Sequence, residues 1–155
     1  CFFMCRAVWG IGGQMEKLTT SSEDYLEAIV NLGGTLTNSV RNIDISNELG
    51  VTKASVSKAI QVLREDGMVS QEPYGGVRLT PNGLARGMAV LCRHRLLFAF
   101  LTQELGIDEQ TAEREACGIE HAISDASFER WLAYASKIGL RVKGLPRYYM
   151  EYNQQ

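Results

Sequence analysis

The chain has 155 residues and a formal net charge of −2, with 45% hydrophobic and 22% charged side chains and only three prolines. These values lie near the averages of globular proteins and exclude a disordered, collagen-like or disulfide-framework chain. The longest apolar runs, such as Leu96 to Leu101, fall far short of the roughly 20 residues a bilayer crossing needs, so no membrane partner is expected.

Residues 1–14 match neither a helix nor a strand pattern, and Met15 opens a more ordinary amino-terminal sequence. They read as a leader outside the fold or as a flexible arm. Thr20 followed by Glu23 forms a capping box, and Leu26, Ile29 and Val30 repeat at helical spacing until the glycines near Gly34. A short helix is predicted over Asn42–Leu49. Gly50 and Val51 turn the chain, and Thr52 caps a third helix over Lys53–Asp66, with Ala54, Val56, Ala59, Ile60 and Leu63 inward and Gly67 as its stop. Met68–Glu72 and Val77–Leu79 read as two strands around the turn Pro73–Gly76. Thr80 and Pro81 start a long helix to about Leu105, Asp108 caps one over Glu109–Ala122, and Ser124 caps one over Asp125–Lys137, ended by Gly139.

Helix, short helix, glycine turn, helix and hairpin is the order of a winged helix-turn-helix. The fold class predicted is therefore mainly α, with a winged helix over 15–82, an all-helical domain over 83–140 and a short basic tail over 141–155. In a winged helix the third helix enters a DNA major groove. Thr52, Lys53, Ser55, Ser57 and Lys58 are its polar positions, lysines suiting phosphates and hydroxyls suiting phosphates or base edges. Arg41, Tyr74 at the wing tip and Arg78 on the returning strand complete the expected DNA surface. Charge is distributed to match. Ser39 to Arg95 carries eight basic residues against five acidic, whereas Phe100 to Arg130 carries two against eight. A phosphate-facing module is thus followed by an acidic one.

A second pattern is foreign to a plain DNA reader. Cys117, Glu120 and His121 stand at i, i+3 and i+4, which puts a thiol, a carboxylate and an imidazole on one helical face. These are transition-metal donor types. His94 lies late on the preceding helix, and Asp24 and Glu27 could add two carboxylates from the first. Taken singly, each residue has a plainer reading: Cys117 as core, His121 as a favourable charge near a helix end, His94 as surface beside two arginines, and Asp24 and Glu27 as partners of a helix dipole. Taken as a set, metal binding is the better account.

The segments Ser22–Ile29, Glu72–Thr80, Arg93–Leu97 and Gly118–His121 occur in the order in which similar segments occur in the diphtheria toxin repressor and manganese transport regulator family. The resemblance spans roughly Leu18 to Gly139. It implies a homodimeric, divalent-metal-activated repressor of metal-homeostasis genes, cytoplasmic, with a winged helix on double-stranded operator DNA and a helical dimerisation and metal-binding domain. Carried over by position, it makes Asp24, Glu27, His94, Cys117, Glu120 and His121 the metal ligands and Mn2+ or Fe2+ the corepressor, other divalent transition metals being possible. Asp24 resembles the manganese branch and Cys117 the iron branch. Phe98 stands where the iron branch has a carboxylate of its second site, so no such site is expected. Four cysteines at irregular spacing also fit a reducing compartment.

Two alternatives belong to other classes. A metal-independent winged-helix regulator resembling the MarR family, whose post-wing pattern matches Arg78 to Gly83, would respond to a small ligand or a redox change. A metalloenzyme would need an H-E-x-x-H or a general base beyond the six ligands, and the sequence has neither. No enzyme activity is expected.

Overall fold

In a computed structural model of the chain, the described residues are 18–145. They fall into two compact units, 18–88 and 89–145. The leader expected over 1–14 and residues 146–155 of the basic tail lie outside the described residues.

The first unit opens with α1 (Thr20–Asn31). Its cap is Thr19, one residue before the expected Thr20, and the Thr19 hydroxyl accepts the Ser22 N–H at 3.2 Å. With Thr19 as cap, Ser22 takes the third helical position expected of Glu23, which is buried and ion-paired with Arg86. Leu26, Ile29 and Val30 form the inward face as expected, all at 0% exposure. α2 (Asn42–Leu49) ends at Gly50 in the left-handed conformation, and the Ser46 hydroxyl donates to the Val51 carbonyl to fix the turn. α3 (Lys53–Glu65) is capped by Thr52, as read from the sequence, and buries Val56, Ile60 and Leu63. Ala54, expected inward, is exposed, because two residues at 100° each carry it roughly 200° around the helix from Val56.

β1 (Val69–Gln71) and β2 (Val77–Leu79) pair antiparallel with Val69 opposite Leu79. β1 is one residue shorter at each end than expected. Val69, Val77 and Leu79 point inward while Ser70 and Arg78 face out. Val40 adds a bridge to Val77, with both N–H to carbonyl bonds at 2.8 Å, a pairing not anticipated from the sequence. At the wing tip Tyr74 is fully exposed with φ of 60°.

α4 (Pro81–Gln103) begins in the first unit and continues into the second, stopping two residues short of the expected Leu105. Thr80 anchors its start, donating to the Gly67 carbonyl at 2.7 Å and accepting the Gly83 N–H at 3.1 Å. In the second unit α5 (Glu109–Glu120) is capped by Asp108, whose carboxylate accepts the Thr111 N–H and is held below the usual carboxylate range by that bond. α6 (Asp125–Lys137) is capped by Ser124. One face of α4 packs Cys92, Leu96 and Ala99 with Phe128, Leu132 and Ala135 of α6. Another packs Leu97 and Leu101 with Ala112 and Ala116 of α5. Among the described residues, no helix is long and apolar enough to cross a membrane.

The close approach at Gly83 generates a test. A Cβ there would lie 1.8 Å from the Met68 carbonyl oxygen, whereas one at Gly50 would meet nothing within 4 Å and only a left-handed φ of +63°. Gly83→Ala should therefore lower stability by about 2 kcal/mol or more, as backbone overpacking does. Gly50→Ala should cost only about 1 kcal/mol. Urea midpoints of the two variants should rank in that order.

Candidate metal centre and nucleic-acid interface

In the first unit Asp24 and Glu27 stand three residues apart on α1, and both are partly buried. Between them Tyr25 is buried, and that burial, reinforced by the Asp24 charge, raises its phenol above the ordinary value.

The second unit gathers the other four expected ligands. Cys117, Glu120 and His121 each present one donor atom, and these atoms lie within 4.8 Å of one another. His94, on α4, reaches the same carboxylate, with Nδ1 2.9 Å from Glu120 Oε2. His121 Nε2 lies 3.3 Å from Glu120 Oε1. α5 stops at Glu120, two residues earlier than the expected Ala122, so His121 is its C-cap with φ of −81° and ψ of −18°. Glu120 is 0% and His94 4% exposed, while Cys117 is exposed. The readings of Cys117 as core and His94 as surface therefore both fail.

This donor set fits a divalent transition metal. A carboxylate withdrawn from water needs compensating positive charge or hydrogen bonds. Here it stands among imidazole nitrogens and a thiol, ligand types that suit iron, cobalt, zinc or manganese. Arg93 supports the arrangement from behind. It pairs with Asp125 at 2.7 Å, donates to the Glu120 carbonyl oxygen at 3.4 Å and stands 5.7 Å from the centre of the Phe128 ring.

Sequence reasoning passed over Glu113. Its Oε1 lies 3.0 Å from His94 Nε2. The signal was present, since Glu113 precedes Cys117 by four residues and Glu120 by seven and so shares their helical face.

On the expected DNA surface, Lys53, Lys58, Tyr74 and Arg78 are exposed. The hydroxyls are engaged locally. Thr52 Oγ1 is 2.9 Å from Ser55 Oγ, and Ser57 donates to the Lys53 carbonyl at 3.0 Å. Arg41 makes a two-pronged pair with Asp44 at 2.7 and 2.8 Å, which raises the guanidinium and lowers the carboxylate from their usual values.

Residues 17–77 match the family model for the iron dependent repressor N-terminal DNA binding domain, and residues 80–146 that for the iron dependent repressor metal binding and dimerisation domain. Over 112 residues the chain is 40% identical to the HTH-type transcriptional regulator MntR of Listeria welshimeri, covering 72% of this chain and 78% of that one. The chain belongs to the diphtheria toxin repressor and manganese transport regulator family. It is also 33% identical over 120 residues to an uncharacterized HTH-type transcriptional regulator of Methanocaldococcus jannaschii, covering 77% of this chain and 96% of that one. Among solved structures, IdeR of T. acidophilum is 29% identical with a TM-score of 0.64, covering 81% of this chain and 56% of that one. A manganese-dependent transcriptional repressor in complex with manganese is 32% identical with a TM-score of 0.65, covering 77% and 53%. The chain thus spans just over half the length of these two. This repressor family consists of DNA-binding transcriptional regulators rather than enzymes, and a metal-independent MarR-like regulator finds no support.

The burial of Glu120 generates a second prediction, independent of metal. In chelator, Glu120→Ala should destabilise the protein by about 1–3 kcal/mol, because the buried His94 nitrogen loses its partner and a void remains. Glu120→Gln, which keeps shape and an acceptor, should cost less. Urea unfolding of both variants measures the difference.

Proposed function

We propose that this chain is a metal-activated transcriptional repressor that works as a homodimer on double-stranded operator DNA of metal-homeostasis genes, with Mn2+ or Fe2+ as corepressor. The observation that carries this reading is the convergence of Cys117, Glu120 and His121 donor atoms in the segment matched by the metal binding and dimerisation model. Asp24, Glu27, His94, Cys117, Glu120 and His121 are the proposed ligands. A bound divalent ion would supply positive charge that pulls separate carboxylates, imidazoles and thiolate into one coordination shell.

Asp24 and Glu27 belong to the winged-helix unit and the other four to the helical unit. A homodimer carries two recognition helices at a set spacing. That spacing must equal the spacing of half-sites on the operator. Lys53, Lys58 and Arg78 would take phosphates, with Arg41, Thr52, Ser55, Ser57 and Tyr74 completing the contact surface. Support for manganese comes from the three carboxylates and from relatives whose names are those of manganese regulators. Support for iron comes from the Cys117 thiol and from the match to the iron dependent repressor models.

Fluorescence anisotropy on a labelled promoter fragment tests the proposal, with apo-protein titrated first with Mn2+ and then anaerobically with Fe2+. A coupling of about 1–3 kcal/mol, or roughly 5–150-fold tighter binding with metal, is expected. The double variant His94→Ala/Glu120→Ala should lose that gain. Lys58→Ala should weaken binding at all sequences and reduce the salt slope by about one. Equal affinity in chelator would overturn the metal switch.

A further inference from the structure

His94 is held from both sides. Its Nδ1 faces Glu120, which is fully buried and stands among the donor atoms of Cys117 and His121, and its Nε2 faces Glu113 at 3.0 Å. Glu113 differs from Glu120 in setting, since its side chain is 55% exposed and its carboxylate is outside the cluster formed by the other donors of α5. A neutral imidazole has one N–H and one lone pair. If the ring is to serve as a ligand on the Glu120 side, Nδ1 must present the lone pair and Nε2 must keep the hydrogen. Glu113 is the acceptor placed to receive that hydrogen.

We propose that Glu113 is a positioning residue of the metal centre, which fixes the rotation and tautomer of His94 so that Nδ1 points to the ion while Nε2–H donates to the Glu113 carboxylate. This rests on the proposed metal site. Outer carboxylates of this kind commonly fix the tautomer and orientation of a ligating histidine and raise its basicity, and their loss weakens metal binding by about 10–100-fold. The placement follows from local structure. Glu113 lies two turns before Glu120 on α5, so one rigid helix carries both the carboxylate that faces Nδ1 and the one that faces Nε2. The spacing of the two grips is thereby set by the helix repeat, and the ring between them has little rotational freedom.

The test is Mn2+ titration followed by electron paramagnetic resonance of the free ion, on parent, Glu113→Ala, Glu113→Gln and His94→Ala proteins. Glu113→Ala should weaken Mn2+ binding about 10–100-fold with the same number of ions bound at saturation. The thermal midpoint of the metal-free protein should fall less than in Glu120→Ala, because the Glu113 side chain is 55% exposed and water can take its place at Nε2. Glu113→Gln should restore most of the affinity, since its side-chain oxygen still accepts the Nε2 hydrogen. The chain has only two histidines, so imidazole 15N spectra of the Zn2+-loaded protein can be assigned directly with His94→Ala. They should place the His94 hydrogen on Nε2 in the parent and on a mixture of nitrogens in Glu113→Ala. Unchanged affinity in Glu113→Ala beside a loss in His94→Ala would overturn the role of Glu113 alone. Loss of one bound ion at saturation would overturn it by making Glu113 a direct ligand, and absence of rescue by glutamine would also overturn it. Full affinity in both Glu113→Ala and His94→Ala would bring down the metal reading itself.

Discussion

A carboxylate with no exposure to water dominates the helical unit. Glu120 must be compensated locally, because an ionised group withdrawn from solvent otherwise costs more than most single contacts return. The compensation available is two imidazoles and the thiol of Cys117 nearby, with Arg93 bonding the Glu120 backbone behind it. The neighbouring groups are arranged around it. His94 is buried beside it, α5 ends at Glu120 with His121 as its cap, and α6 is linked to α4 through Asp125 and Arg93. Removing one partner of a buried pair costs more than the intact pair contributes, because the other is left uncompensated.

The two apolar clusters explain how that carboxylate is held in place. α4 buries opposite faces against α5 and α6, so the residue that projects toward Glu120 comes from a helix clamped on both sides. Phe128 belongs to this packing and also lies beneath the Arg93 guanidinium, so one aromatic ring joins the hydrophobic core to the polar network. Such a scaffold holds the His94 and Glu120 side chains within narrow limits.

Much of this was legible in the sequence because it is local. Thr52, Asp108 and Ser124 cap the helices they were expected to cap, and Gly50 ends α2 with the positive φ that a glycine turn predicts. The one misplaced cap involves Thr19 and Thr20, adjacent hydroxyls that satisfy the same rule, so that tertiary context decides. Glu23 shows why: its carboxylate is taken by Arg86, 63 residues away, and a capping box would have had to compete with that pair. The Val40 bridge and the Glu113–His94 contact were hidden for a related reason. Periodicity aligned Glu113 with Cys117 and Glu120, yet only the packing of α5 on α4 reveals which ring nitrogen that face meets. Ala54 lies off the inward face by the same 100° repeat that places Val56, Ile60 and Leu63 on it.

The Arg41–Asp44 pair has a consequence for how the winged helix responds to ionic conditions. A surface cation facing DNA ordinarily exchanges weakly held salt ions for a phosphate, and the release of ions condensed on the DNA makes affinity fall with salt. Arg41 instead carries its own counter-anion, fixed by two short bonds on the same helix start. Asp44 takes the Nε hydrogen and one Nη2 hydrogen, so three of the five guanidinium hydrogens remain for a phosphate, which would then stand beside the Asp44 carboxylate as a like charge. Net charge at that spot is already zero before DNA arrives, so the position adds little long-range attraction and selects by geometry, an oxygen pair lying in the guanidinium plane at its open edge being matched best.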